Sequence, residues 1–156
     1  MNWGMNPAFD MRVLLPDHKD TLQAFSKANL AKSISDPMEL EMQSWTAPWR
    51  SESLDHYLKQ GWSYGLFVKG DLRAYLLAQP FLFYRGLTQT LWIEHIEGGS
   101  TEEMLALVDT AYRWARDKHF QCLLVEARAE LVESLHQWKM ARKIDSGLIE
   151  IRSAKF

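Results

Sequence analysis

The stretch from Leu91 to Ala127 constrains the fold most, because two apolar runs flank one long amphipathic segment. The first run, 91–96, leads into the tight turn Glu97-Gly98-Gly99-Ser100, and the second covers 121–126. Between them, apolar residues recur every three or four positions, which predicts a helix over 101–118. A strand, a helix and a strand of these lengths form a right-handed βαβ unit whose two strands are parallel.

The predicted helix has a defined start and one face expected in water. Ser100, followed three residues later by Glu103, is a capping box that satisfies two backbone amides at the helix start. The face expected in water carries Glu102, Ala106, Asp109, Arg113 and Arg116. In open α/β sheets, ligands bind where a strand ends and the next helix begins, so the turn before this helix is the first candidate site.

Size and charge limit the remaining function classes. With 156 residues, 47% of them hydrophobic, the chain is expected to form an irregular arm over 1–10 and a single domain over 11–156. A net charge of -2 gives no basic field, which argues against nucleic acid or anionic membranes as partners. The single cysteine, Cys122, excludes a disulfide within the chain, and residues 1–10 lack a signal sequence, so we expect a cytoplasmic protein.

The other segments predict a mixed α/β sheet with helices on both faces. Short strands are expected at 11–15, 62–68, 72–83, 88–96, 143–145 and 148–152. Helices are expected to begin at Asp17, Ser35 and Ser51, with the third ending at Gly61, and a last helix is expected over 129–138.

This order of elements, together with several short motifs, resembles the GNAT (GCN5-related N-acetyltransferase) superfamily from about Met11 onward. The segment 45–51, Trp-Thr-Ala-Pro-Trp-Arg-Ser, is similar to ribosomal-protein N-acetyltransferases, and 114–118 before a strand ending Val125-Glu126 resembles the usual third helix and fifth strand. Ala78-Gln79 and the run 93–99 resemble a small GNAT-like family of unknown function. The resemblance implies a mostly antiparallel sheet with one splayed parallel pair, an acetyl-CoA or other acyl-CoA donor, and an amine acceptor.

The resemblance also suggests catalytic residues. In many GNAT enzymes a carboxylate on the fourth strand deprotonates the acceptor amine, and Glu94 matches that position; the adjacent His95 is the alternative. Because strand side chains alternate, these two are expected on opposite faces, so that at most one reaches the acceptor. The tyrosine that protonates the leaving thiolate in the family is absent: Leu135 stands there, with His136 beside it as a candidate acid.

The family's pyrophosphate-binding loop, Gln/Arg-x-x-Gly-x-Gly/Ala, is also missing. Glu102 and Glu103 occupy the first turn of the helix, where their charge opposes a phosphate. If a shortened loop still binds coenzyme A, the backbone of Ile96, Gly98, Gly99 and Ser100 would hold it. The alternative is that Ser100 and the two glutamates only cap the helix.

The acceptor side is suggested by aromatic residues. Trp45 and Trp49 stand where GNAT enzymes line the acceptor groove, and the hydroxyls of Tyr84 and Tyr64 are further candidates for contact or acid catalysis. The five histidines and Cys122 show no metal-ligand spacing, so no metal site is expected. Two hypotheses remain: a transferase acting on a small-molecule or peptide amine, or a non-catalytic GNAT-fold module that binds a ligand or protein through Trp45 to Trp49. A homodimer is compatible with both.

Overall fold

The computed structural model describes residues 6–135, 137–144 and 147–153. The strands are β1 (Asp10–Val13), β2 (Tyr64–Val68), β3 (Asp71–Leu82), β4 (Gln89–Gly98), β5 (Cys122–Glu126), β6 (Ala141–Ile144) and β7 (Leu148–Arg152). The helices are α1 (Lys19–Ala31), α2 (Pro37–Ser44), α3 (Ser51–Gln60), α4 (Thr101–Asp117) and α5 (Ala129–Leu135). Boundaries differ from the predicted ones by a few residues, most at the last helix, which ends earlier.

All seven strands form one sheet in the order β1-β2-β3-β4-β5-β7-β6. Every neighbouring pair is antiparallel except β4 and β5, which run parallel with Thr90 opposite Cys122 and Ile93 opposite Val125. The predicted parallel pair and the mixed α/β fold class are therefore confirmed. No helix in the described ranges is long and apolar enough to cross a bilayer.

Helices cover both faces of the sheet, as the sequence predicts. On one face, α1 and α3 pack on β3 through a cluster that includes Leu22, Leu54, Tyr75 and Leu77. On the other, α4 and α5 pack on the centre of the sheet through the larger cluster. The helix α2 lies against α1 and has no buried residue.

The face of α4 expected in water is exposed at Glu102, Arg113 and Arg116, as predicted, but Asp109 on the same face is buried, and there the sequence prediction is wrong. Asp109 is only 5% exposed, and Thr110 and Tyr112 are also buried. The reason is that α5 packs on α4, and the segment after α5 places Trp138 with its ring centroid 6.5 Å from that of Tyr112. Burial raises the pKa of Asp109, although Arg113, one turn later at 3.0 Å, opposes that rise.

A β-bulge interrupts the pairing of β3 and β4. Leu77 lies opposite His95 and Ala78 opposite Ile93, so Glu94 is an extra residue without a partner position on β3. The pairing with β5 ends at the same point, because Ile93 is the last residue of β4 that is paired with β5. From Glu94 to Gly98, β4 therefore presents a backbone edge without a strand partner among the described residues on its β5 side.

Candidate functional site

The bulge places Glu94 and His95 on the same side of the sheet. Glu94 accepts a hydrogen bond from the hydroxyl of Tyr57 on α3, and the ring of His95 packs edge-on against Tyr75, with centroids 5.6 Å apart. Tyr57 and Tyr75 belong to one cluster beneath α1 and α3. The prediction that Glu94 and His95 point to opposite faces is therefore wrong, because an extra residue breaks the alternation that a regular strand would have.

A chain of hydrogen bonds links Glu94, through the buried Tyr57, to polar groups at the protein surface. The donor to Glu94, Tyr57, is 4% exposed. The amide nitrogen of Gln79 lies 3.5 Å from the Tyr57 hydroxyl, and the amide oxygen of Gln79 lies 2.9 Å from Nε2 of the exposed His56. The carboxylate is thus held in one orientation by a buried phenol, which in turn contacts polar groups leading to solvent.

A second carboxylate, Glu97, forms the centre of a polar cluster between β4 and α1. It accepts hydrogen bonds from Ser26 Oγ at 2.7 Å, Asn29 Nδ2 at 2.8 Å and His95 Nε2 at 3.0 Å. Burial raises the pKa of Glu97, but the hydrogen bonds from His95, Asn29 and Ser26 outweigh it, so its pKa is lowered overall. Burial, followed by the charge of Glu97, raises the pKa of Tyr75 well above its usual value.

The sequence reasoning missed Glu97, although a signal was present. His95 and Glu97 are two positions apart on one strand, and this spacing places two side chains on the same face. The structure brings Glu94, His95 and Glu97 together beside the unpaired edge of β4.

In the turn before α4, polar groups already form hydrogen bonds within the protein. The Gly99 amide donates to the carbonyl of Arg73 on β3 at 3.1 Å, and Ser100 caps the helix by accepting from the Glu103 amide at 3.2 Å. The Glu103 side chain, 9% exposed, accepts from Ser100 Oγ at 3.0 Å and lies 3.3 Å from the Arg73 guanidinium. The Ser100 cap is present as predicted, but the Glu103 carboxylate accepts from the Ser100 hydroxyl, so of the two reciprocal backbone contacts of the capping box the structure shows the one to the Glu103 amide. The carboxylate is buried at the positive end of the helix.

Arg128, just after β5, reaches the unpaired edge of β4. Its guanidinium donates to the carbonyl oxygen of Ile96 and pairs with Glu130 at 3.2 Å. Of the four residues predicted to hold the donor, Ile96 thus uses its carbonyl, Gly99 its amide and Ser100 its side chain in contacts within the protein. Gly98 is paired with Ala74 on β3.

The predicted acceptor residues lie in two separate places. Trp45 and Trp49 line a cavity of about 420 Å³ between α1, α2 and α3, where Trp45 is 65% exposed and Trp49 is 7% exposed. Tyr84 packs near Phe81, with ring centroids 6.0 Å apart, in a third cluster with Leu87 and Cys122. Trp49 belongs to the same apolar cluster as Tyr57, the hydrogen-bond donor to Glu94, whereas Tyr84 packs in the separate cluster with Cys122.

The residues predicted as proton donors, where the structure describes them, do not lie beside Glu94. Tyr64 is 2% exposed against Trp114 in the main core, where burial raises its pKa to about 12, so it does not reach the cluster around Glu94. Leu135 is buried in the same core, and His136 lies outside the described residues. Among the residues that the structure describes, no three His, Cys, Asp or Glu side chains are grouped so as to hold a metal ion.

Comparisons with known proteins agree with this architecture. No protein-family model matches the sequence. No curated protein sequence matches it significantly either. Solved structures do match over nearly the whole chain, and three of them illustrate the range of the similarity.

The PaiA N-acetyltransferase from Thermoplasma acidophilum, solved in complex with coenzyme A, superposes with a TM-score of 0.65 at 13% identity, covering 93% of this chain and 99% of that one. A polyamine N-acetyltransferase from Drosophila melanogaster, which forms N-acetylagmatine, gives 0.63 at 12% identity, with 91% and 97% covered. A ribosomal-protein-alanine N-acetyltransferase from Brucella melitensis gives 0.60 at 18% identity, with 88% and 94% covered. At these identities the similarity concerns the fold, and the chain has the fold of the GNAT N-acetyltransferases.

Proposed function

We propose that the protein is an N-acyltransferase that moves an acyl group from acyl-coenzyme A, such as acetyl-CoA, to an amine. The observation that carries this proposal is the bulge in β4, which gathers Glu94, His95 and Glu97 beside an unpaired strand edge. A backbone edge next to oriented carboxylates offers hydrogen-bonding groups for a thioester arm and a proton acceptor for an amine.

In this reaction the amine nitrogen attacks the thioester carbonyl, a C–N bond forms and the C–S bond breaks. Glu94 is proposed to take the proton that the amine loses, since Tyr57 holds its carboxylate in place. The departing thiolate takes up a proton from water and Glu94 returns its proton to water, so the reaction yields an amide and a free thiol with no net change in protons. His95 remains the alternative base. Its Nε2 already lies 3.0 Å from the Glu97 carboxylate, and Glu97 is itself held by Ser26, so the imidazole ring of His95 is fixed in place.

The donor site would differ from the backbone cradle that the resemblance implies. Gly99 uses its amide within the protein, and the Glu103 carboxylate opposes an anion at the start of α4. Two guanidinium groups border this region, those of Arg73 and Arg128, with side chains 54% and 34% exposed. We propose that these side chains, rather than backbone amides, supply the positive charge for the coenzyme A phosphates.

Donor binding is tested first by thermal unfolding with acetyl-CoA. At 100 times the dissociation constant, a ligand specific for the folded state adds about 2.7 kcal/mol of stability. The exposed Glu102 offers a refinement: if its charge weakens phosphate binding, Glu102→Gln increases the shift, whereas Arg73→Gln and Arg128→Gln decrease it. No stabilisation at millimolar acetyl-CoA, with wild type and with Glu102→Gln, would remove the donor and with it the transferase proposal.

Turnover is tested by thiol release from acetyl-CoA with a panel of primary amines. Glu94→Gln is expected to lower kcat by about 10²- to 10⁴-fold, the usual contribution of a general base. Tyr57→Phe keeps the carboxylate but removes its hydrogen bond, and should have a smaller effect. Asp71→Asn, which removes a charge at the exposed β2–β3 turn, is the matched control and should leave kcat unchanged. Full activity in Glu94→Gln would exclude Glu94 as the base.

The second candidate is a non-catalytic ligand-binding module of the same fold. The occupied turn before α4 favours it, since a buried Glu103 and a bonded Gly99 amide leave less for an anion there. This candidate predicts that acetyl-CoA fails to stabilise the protein in the experiment above, while the fold remains stable without it.

A further inference from the structure

The helix α2 presents its apolar side chains to solvent rather than to the core. Met38, Met42 and Trp45 follow one another at four- and three-residue spacing, which places them on one face of a helical turn. They are 72%, 54% and 65% exposed, and α2 buries none of its residues. Of the apolar side chains that the structure describes, these three form the only exposed set in a helical register.

The opposite side of α2 holds it on the body of the protein. Leu40 is partly buried on that side, whereas Glu41, three residues after Met38 and four before Trp45, lies at the edge of the stripe and pairs with Lys27 of α1 at 2.9 Å. Asp36 begins the helix by accepting a hydrogen bond from the Met38 amide at 3.2 Å. The outward orientation of Met38 and Met42 is thus set by the burial of Leu40 on the opposite side, by the Glu41 ion pair at the edge of the stripe and by the cap at the helix start.

A cavity adjoins this apolar stripe. It measures about 420 Å³, lies between α1, α2 and α3, and shares Trp45 with the stripe. Trp49, 7% exposed, lines its inner wall, while charged residues surround its mouth. A stripe of two methionines and a tryptophan ending in an aromatic-walled cavity is shaped to receive a row of apolar side chains, since methionine adapts to varied surfaces.

Charge indicates what kind of partner carries those side chains. Residues 36–52 contain four carboxylates and one arginine. Glu41 is paired with Lys27 and Glu52 lies 3.8 Å from Arg50, so the net negative charge beside the stripe comes from Asp36 and Glu39. An isologous contact between two copies would bring this acidic surface against itself, and an anionic membrane would also be repelled. A segment with apolar residues on one side and lysine or arginine on the other matches both the stripe and its surroundings.

We propose that Met38, Met42 and Trp45, with the adjoining cavity, form a docking site for a basic amphipathic helical segment of a partner protein. The partner's apolar residues cover the stripe and place one side chain against Trp49, while its basic residues lie near Asp36 and Glu39. This inference goes beyond acyl transfer and does not depend on it, because binding at α2 involves neither Glu94 nor the edge of β4.

The test uses the full chain and a synthetic 18-residue helical peptide with leucines at three- and four-residue spacing and lysines elsewhere. Isothermal titration should show binding that weakens with added salt. The same peptide with glutamates in place of lysines should bind at least about ten-fold more weakly, as expected where complementary charge selects the partner. Equal binding of the two peptides, or no binding of the basic one, would overturn the proposal.

Variants locate the site. The double variant Met38→Gln/Met42→Gln should weaken the basic peptide about ten-fold or more, in the range of binding hot spots. Leu82→Gln, which removes an equally exposed apolar side chain at 59% on β3, is the matched control and should bind as wild type does. Glu39→Lys should reverse the preference toward the acidic peptide. Equal weakening by Leu82→Gln would show non-specific adhesion and refute the site.

Alternative occupants give distinct results. Sedimentation that shows a dimer dissociated by Met38→Gln/Met42→Gln would assign the stripe to a second copy and refute the proposed partner. Co-flotation with phosphatidylserine vesicles, lost in the same variant, would assign it to a membrane and refute it equally. Circular dichroism of each variant should match wild type, since the changed side chains are exposed.

Discussion

Replacing Gly98 with alanine tests whether this glycine before α4 is required for close packing or for binding a phosphate of the donor. A Cβ at this position would lie 2.9 Å from the Cβ of Ala74 and 2.9 Å from Cγ of Met104. Both distances are shorter than a normal carbon–carbon contact, so something has to move. Ala74 is fully buried and its Cβ is fixed by the backbone of β3, so only Met104 can adjust by changing its rotamer.

The expected cost follows from this geometry. Overpacking a close-packed core costs about 1–3 kcal/mol. Alanine also restricts the unfolded chain relative to glycine, which returns about 0.4–1 kcal/mol. We therefore expect Gly98→Ala to lower the free energy of unfolding by about 1–2 kcal/mol, or a few degrees in Tm for a domain of this size.

The assay is urea unfolding followed by circular dichroism, with two controls. In Gly99→Ala, the nearest contact is Oε1 of Glu103 at 3.1 Å, the end of a side chain that can rotate, so the loss should be smaller. In Gly98→Ala/Ala74→Gly one of the two close contacts is removed, and part of the loss should be recovered. Wild-type stability in Gly98→Ala, combined with a lost response to acetyl-CoA, would refute the packing argument and favour a phosphate-binding glycine.

Three further results are expected. Cys122 is 3% exposed, and burial, followed by the charge of Glu150, raises its pKa to about 12, so iodoacetamide at pH 8 should label it only in urea; rapid native labelling would contradict the burial. Because the pKa of Glu97 is lowered in the folded state, its carboxylate stabilises the fold above pH 4.5, and this stability is lost as the pH falls through the folded pKa. The free energy of unfolding of Glu97→Gln should therefore depend less on pH below 4.5 than that of wild type. Leu22→Ala removes a fully buried side chain and should cost about 2–5 kcal/mol in urea unfolding, whereas Leu15→Ala, at 52% exposure, should be nearly neutral.

The parallel strand pair could be predicted because one long periodic segment and two apolar strands leave few arrangements. The period of α4 and the cap at Ser100 both follow from local sequence, and the structure has them as expected. Local sequence could not show that Asp109 is buried, because its burial depends on where α5 packs on α4. The same limit applies to α2: its apolar stripe is visible in the sequence, but the direction in which Met38 and Met42 face depends on contacts with α1.

The candidate site depends on the β-bulge at Glu94, which regular alternation of side chains along a strand does not predict. Alternation over a regular strand would place Ile93 and Ile96 on opposite faces, yet both belong to the core beneath α4. The extra residue Glu94 satisfies this requirement, because one added position returns Ile96 to the apolar side. Two isoleucines three apart on a predicted strand were therefore the available signal for the bulge. The same step brings Glu94 to the side of His95 and ends the pairing with β5, so the packing of the core and the geometry of the proposed site have one structural cause.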